Sequence, residues 1–267
     1  MDPALGVTLL ALLFIATHVG LASDAVKRRF GPRLGEHGFV AAYSLVAALT
    51  FSAVVVYYAA HRFEGAAGFD AAAIAVPLLR ELLLVAIAGG VALIAAGLMA
   101  YPRMPVALFG QPIRAPYGIE RVTRHPFFVG TAIVGIAHVL LAPRLAGAIL
   151  MGGLALLSLA GARHQDARHL RARGTPYADY LAVTSMLPFA AIVAGRQRLV
   201  WSEMPFGALA VGVGVAVVLR LVHASLFAHG GLLIILAVVG GAAIASTQTW
   251  LRARRNARRD GRVAVRS

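Results

Sequence analysis

The chain has 267 residues, 60% of them hydrophobic and 13% charged, against roughly 45–50% and about 25% in ordinary soluble domains, which excludes an ordinary soluble enzyme and also intrinsic disorder. A net charge of +14 is compatible with nucleic acid, anionic lipid or membrane topology. The absence of cysteine excludes disulfides, thiolate metal ligands and cysteine nucleophiles.

In chain order, about seven apolar stretches approach the length that crosses a bilayer core. They are Leu5–Ser23, Phe39–Ala60, Leu82–Ala100, Phe127–Ala142, Leu145–Ala162, Met204–Val222 and Gly230–Leu251. The first lacks a basic flank, so it is expected to stay on the protein as a span and not to be a cleaved signal. The fourth and fifth are separated only by Pro143 and Arg144 and predict a tight helical hairpin. Arg220, near the end of the sixth, can snorkel to the headgroups. The stretch Met186–Gly195 is too short to span and reads as re-entrant or interfacial. Gly65–Ala73 reads as a Gly/Ala-rich connection without chemistry of its own.

The charge decides orientation. One set of alternate loops holds Lys27, Arg28, Arg29 and Arg33, then Arg103, Arg114, Arg121 and Arg124, then Arg163, Arg168, Arg171, Arg173, Arg196 and Arg198. The tail after Leu251 adds a further arginine cluster on the same side, and the other side keeps only Arg62, Arg80, Arg144 and Arg220. By the positive-inside rule the N-terminus lies outside and the C-terminus in the cytoplasm. The expected fold is therefore an all-α, polytopic transmembrane bundle: one domain over residues 1–251 and a basic cytoplasmic tail over 252–267. The tail carries no interleaved aromatics and directly follows a span, so it suits anionic lipid and not nucleic acid. The bacterial inner (plasma) membrane is the expected location.

Ionisable groups inside spans are costly and mark functional sites by default. His18 lies in the first span and His138 in the fourth. Thr131, Gly135, His138 and Ala142 fall on one narrow helical stripe, whose small residues allow another helix or a flat cofactor to approach. Spacing alone leaves two readings open: each imidazole bonds a neighbouring helix, or the two are axial ligands of a haem iron. Zinc fits less well, because no third ligand lies in these spans. In the expected topology the two histidines differ in height by about 11 Å, at about 1.5 Å per residue. At the mouth of the fourth span, Arg124-His125-Pro126-Phe127 places Pro126 in the first helical turn, leaving Arg124 and His125 to face headgroups, an anion or a cofactor carboxylate. A second cluster, Arg163, His164, Asp166, Arg168 and His169 with Tyr177 and Tyr180, reads as interfacial; His164 and His169, five apart, do not share a helical face.

These residues resemble the NnrU family and, through it, the 15-cis-zeta-carotene isomerases of plants and cyanobacteria. The resemblance runs from Thr17-His18-Val19-Gly20-Leu21-Ala22-Ser23 through Tyr43-Ser44-Leu45 and His61-Arg62-Phe63-Glu64-Gly65. Its most specific strings are Arg121-Val122-Thr123-Arg124-His125-Pro126, with Ala137-His138 behind it, and Thr184–Ile192 with Gly195-Arg196-Gln197. It implies an integral membrane protein that carries haem b on histidine ligands, His18 matching the first and His138 the second, with His125 as the other candidate. It also implies a lipophilic substrate such as a carotenoid, isomerised about its central cis double bond at the reduced iron. The NnrU branch itself is associated with nitrogen-oxide metabolism, where a haem site would bind a small gas or support assembly of a reductase. Arg124, His125, Pro126 and Gly130 more distantly resemble isoprenylcysteine and phospholipid methyltransferases, which bind S-adenosylmethionine. Those enzymes carry a Glu-containing segment where this chain has only Asp166.

Overall fold

The computed structural model describes residues 1–107, 112–244 and 247; among these the regular elements are all helices, joined by loops, with one isolated bridge between Ala67 and Arg144. Among the described residues four helices are long and apolar enough to cross a membrane: Pro3–Leu21, Gly38–His61, Pro77–Arg103 and Leu145–Arg173. The other three expected segments form shorter apolar helices, Pro126–Leu141, Phe206–Leu221 and Ala228–Ile244. The basic tail 252–267 lies outside the described residues.

Helix α1 covers Pro3–Leu21 and α2 covers Asp24–His61. Here the structure corrects the sequence reading. Lys27, Arg28, Arg29 and Arg33 stand in a helical stretch at the start of α2 and not in a loop. Lysine and arginine are good helix formers, so hydropathy ends before helicity does. Gly35, at φ 69°, separates the charged part of α2 from its apolar part.

The chain divides into two compact units, Met1–Thr8 with Arg62–His223, and Leu9–His61 with Ala224–Ser267. The first contains α3 (Ala71–Ala75), α4 (Pro77–Ala100), α5 (Ile119–Val122), α6 (Pro126–Leu141), α7 (Leu145–Arg173), α8 (Thr175–Val183), α9 (Ala190–Val193) and α10 (Phe206–Leu221). Helix α4 is central, with α6 and α10 packed on it, and α7 packs on α6. The contacts are made by small residues. A Cβ on Gly90 would lie 2.8 Å from the Gly130 carbonyl oxygen of α6, and one on Gly135 would lie 2.7 Å from the Met151 carbonyl oxygen of α7. Apolar surface gains little by leaving lipid, so close backbone approach supplies dispersion contacts that larger residues would prevent. The small-residue stripe on α6 is thus used in part by a neighbouring helix.

The expected α6–α7 hairpin is present. Its Ala142-Pro143-Arg144 corner is held by the 65–69 segment, through Gly68 N–H to Pro143 O (3.1 Å), Phe69 N–H to Ala142 O (3.0 Å) and Leu145 N–H to Ala66 O (3.0 Å). Helix α7 runs beyond its apolar part to Arg173 and stops at Gly174, whose φ of 58° suits glycine.

In the second unit, Phe14 of α1 lies 5.7 Å, ring to ring, from Phe51 of α2. Tyr58 meets Phe227 edge-on at 5.0 Å.

Candidate functional site

Helix α6 begins where the sequence places it, with Pro126 in its first turn and His125 as N-cap. The chain leading into it is clamped by a distant segment. Phe189 N–H donates to Val122 O at 2.9 Å, Arg124 N–H to Ser185 O at 2.9 Å, and Thr123 Oγ1 to Met186 O at 2.7 Å. Arg121 extends the same joint, donating to Gln197 Oε1 at 2.9 Å and forming an ion pair with Glu203 at 2.8 Å. The two most specific strings of the sequence are therefore hydrogen-bonded to one another. The hydrogen bonds from Arg121 hold the Glu203 carboxyl down at about 2. Met186–Gly195, expected to be re-entrant or interfacial, supplies one side of this clamp and contains the short α9.

Behind the clamp lies a carboxylate that the sequence reading underrated. Asp166 of α7 accepts from Arg124 Nε (2.9 Å) and Nη2 (2.7 Å) on Oδ2. On Oδ1 it accepts from His125 Nε2 (2.8 Å) and from the Tyr177 hydroxyl (2.8 Å). A carboxylate offers about four acceptor positions. All four are taken, so Asp166 is suited to holding its neighbours and not to proton transfer. Burial and the adjacent Asp166 raise the Tyr177 phenol well above its ordinary value, so it stays a donor.

The same unit buries a second carboxylate. Glu120 receives Arg114 in a two-pronged ion pair (2.6 and 3.2 Å) and the Tyr180 hydroxyl at 3.3 Å. Burial raises Glu120 above the usual carboxylate value, with Arg114 acting against it, and burial raises Tyr180 too.

The cluster read as interfacial is divided in the structure. Asp166, His169, Tyr177 and Tyr180 are buried, whereas His164, Arg163 and Arg168 are exposed. Nor do Arg124 and His125 face headgroups: His125 is 2% exposed and both are committed to Asp166. The signal that could have pointed there is a lone Asp among cations on a helix. Its partners Arg124 and His125 lie more than 40 residues upstream, where local pattern does not reach.

His138 lies on α6 in the same unit. Its Nδ1 is 2.8 Å from the Val134 carbonyl oxygen one turn back. A carbonyl only accepts, so Nδ1 carries the proton and the Nε2 lone pair is left for a ligand or metal. A ring that the sequence reading did not single out, His223, lies 6.2 Å from that of His138 with the planes 16° apart. His18 belongs to the other unit. There the Tyr43 hydroxyl lies 3.1 Å from His18 Nδ1 and 3.2 Å from its Nε2, and Phe14 packs 5.3 Å from the imidazole ring. Tyr43 sits in the Tyr43-Ser44-Leu45 string, so its sequence signal was present without its partner. Among the described residues no group of three His, Cys, Asp or Glu could hold a metal ion.

An apolar multi-helix chain with a buried polar joint at the start of one helix and histidines within its apolar helices is an integral membrane protein. It belongs to the NnrU family, whose description, NnrU protein, matches residues 7–234. The chain is similar to the chloroplastic 15-cis-zeta-carotene isomerase of Arabidopsis thaliana, 30% identical over 205 residues, which cover 74% of this chain and 53% of the relative. It is likewise similar to that of Zea mays, 31% identical over 199 residues covering 72% and 51%. The chain thus spans about half the length of the curated relatives it matches. No solved structure matches it.

Proposed function

We propose that this protein is a membrane isomerase of a polyene such as 15-cis-zeta-carotene, working with haem b held by His138. The observation that carries the proposal is the His138–Val134 hydrogen bond, which fixes the imidazole and leaves Nε2 unprotonated within an apolar helix. That is the state a metal-ligating histidine requires, with its other nitrogen tied to a carbonyl. Haem b would supply an iron that changes oxidation state and opens a coordination position to the double bond. The similarity to the two isomerases supports the substrate class.

The chain's own residues then divide the work. His138 offers Nε2 as the ligand nitrogen. Arg124 and His125 are positioning residues: through Asp166 they lock the first turn of α6, and so the rotation and height at which α6 presents His138. The exposed leucines and valines of the helices give a long apolar molecule an approach through the lipid. The seven apolar segments cross the plasma membrane with the N-terminus outside and the C-terminus in the cytoplasm, a topology supported by the one-sided distribution of arginine.

Visible spectroscopy of detergent-purified protein, expressed with ample haem, tests the proposal. A Soret band is expected, and His138→Ala is expected to abolish or strongly shift it. Absence of the band in the unaltered protein, or a spectrum indifferent to His138→Ala, rejects the site.

A further inference from the structure

We infer that the stretch Asp24–Leu34, which opens α2, is an amphipathic helix lying in the bilayer surface and binding anionic phospholipid in preference to zwitterionic. Nothing in this depends on the cofactor or the substrate proposed above.

The position of the stretch follows from the spans on either side of it. Helix α1, Pro3–Leu21, and the apolar part of α2, Gly38–His61, are both long and apolar enough to cross a membrane. Two consecutive spans leave the chain between them on one side of the bilayer, beside both crossing points. Only Ala22 and Ser23 separate α1 from α2. Ser23 starts the new helix: its carbonyl accepts from Lys27 N–H at 3.1 Å, and its hydroxyl accepts from Val26 N–H at 3.4 Å. The chain is then helical from the membrane edge until Gly35, at φ 69° and ψ 166°, breaks it. At about 1.5 Å per residue the stretch is about 16 Å long, and the break lets it take a direction different from that of the span.

Its residues are arranged for an interface. At about 100° per residue, Val26, Phe30 and Leu34 form one apolar stripe about 80° wide. Phe30 is 42% exposed and Leu34 50% exposed, so the protein leaves most of the stripe uncovered among the described residues. Lys27 borders the stripe on one side and Arg29 and Arg33 on the other, all of them exposed, while Arg28 and Pro32 fall on the far side. Basic side chains placed in this way cover the apolar edge with their methylenes and carry the charge outward.

The partner is chosen by the need to satisfy both features. An acidic macromolecule would meet the cations and leave Phe30 and Leu34 in water. The bilayer surface meets both, with phosphates for the four basic residues and the acyl boundary for the stripe. Asp24 is the only acidic residue in the stretch, so its net charge favours anionic headgroups. Membrane topology alone asks only that these cations stand on one side; it does not ask that they flank an apolar stripe.

Two measurements on the full chain in phosphatidylcholine vesicles, with and without phosphatidylglycerol, test the assignment. In the first, Phe30→Trp is placed in a Trp201→Phe/Trp250→Phe background. Blue-shifted emission is expected, quenched by acyl-brominated lipid and more strongly when phosphatidylglycerol is present. Water-like emission that brominated lipid does not quench would give the stripe to a protein partner and overturn the lipid assignment. In the second, spin-labelled phosphatidylglycerol and phosphatidylcholine are compared for the fraction immobilised by the protein. A preference for the anionic lipid of roughly fivefold is expected, the factor that one basic residue near an anionic surface supplies. Replacing Lys27, Arg28, Arg29 and Arg33 together by glutamine is expected to remove at least half of it. Arg28→Lys/Arg29→Lys/Arg33→Lys is expected to keep it, because the charge is what the headgroup reads. A glutamine variant with the full preference would assign the selectivity to other basic residues and overturn the inference. So would a lysine variant that loses as much as the glutamine variant, since the loss would then not follow the charge.

Discussion

Replacing Asp166 with alanine is expected to be among the most damaging single changes in the chain, lowering stability by about 3 kcal/mol. That lies at the lower end of the range for breaking a buried ion pair by removing one partner. The lower end applies because the Arg124 side chain is 15% exposed and the Asp166 side chain 12% exposed, so water relieves part of the loss. Three groups lose their acceptor together: the Arg124 guanidinium, His125 Nε2 and the Tyr177 hydroxyl. Asp166→Asn is expected to do less harm, since it keeps the volume and one acceptor oxygen. Thermal unfolding in detergent reads the difference, and equal melting of Asp166→Ala and unaltered protein would remove Asp166 from its place as the hub. Because the joint fixes the first turn of α6, the alanine variant is also expected to weaken whatever His138 holds.

The second large effect is steric and separates two adjacent residues. Gly90→Val is expected to force α4 and α6 apart, costing about 1–3 kcal/mol as overpacking does. A Cβ there would meet the Gly130 carbonyl oxygen and Val134 Cγ2, both at 2.8 Å, and the carbonyl belongs to a helix backbone that cannot rotate away. Gly89→Val should be close to neutral, because a Cβ at that position meets nothing within 4 Å. Melting curves of the two variants decide it: equal behaviour would mean that α4 and α6 are not packed through Gly90.

How far these features could be read from sequence depends on the range of the interaction that makes them. The start of α6 at Pro126 and the α6–α7 corner at Pro143-Arg144 are local events, set by proline and by the break between two apolar runs. Both were legible. The true lengths of α2 and α7 were not, because hydropathy follows the bilayer while helicity follows propensity. Arg28 and Arg29 stand in a helical stretch of their own before the break at Gly35, and Arg163 to Arg173 continue α7 until Gly174 stops it.

The site divides in the same way. His18 and His138 stand out as rare polar residues in apolar runs. Asp166 does not, because its meaning comes from Arg124 and His125, brought to it by the hairpin, and from Tyr177, one helix later. His223 was passed over for a related reason. It sits just past an apolar segment, where a histidine looks ordinary, and only the packing of α6 and α10 on α4 sets its ring beside that of His138.

Conversion of the substrate class by the intact protein tests the central claim most directly. The full chain would be expressed, with ample haem, in a host engineered to accumulate 15-cis-zeta-carotene in its membranes, and the carotenoids separated by isomer. The expected result is depletion of the 15-cis isomer in favour of the form with a trans central bond, and no depletion with His138→Ala. An unchanged isomer composition beside membrane-inserted, haem-loaded protein would contradict the proposed activity.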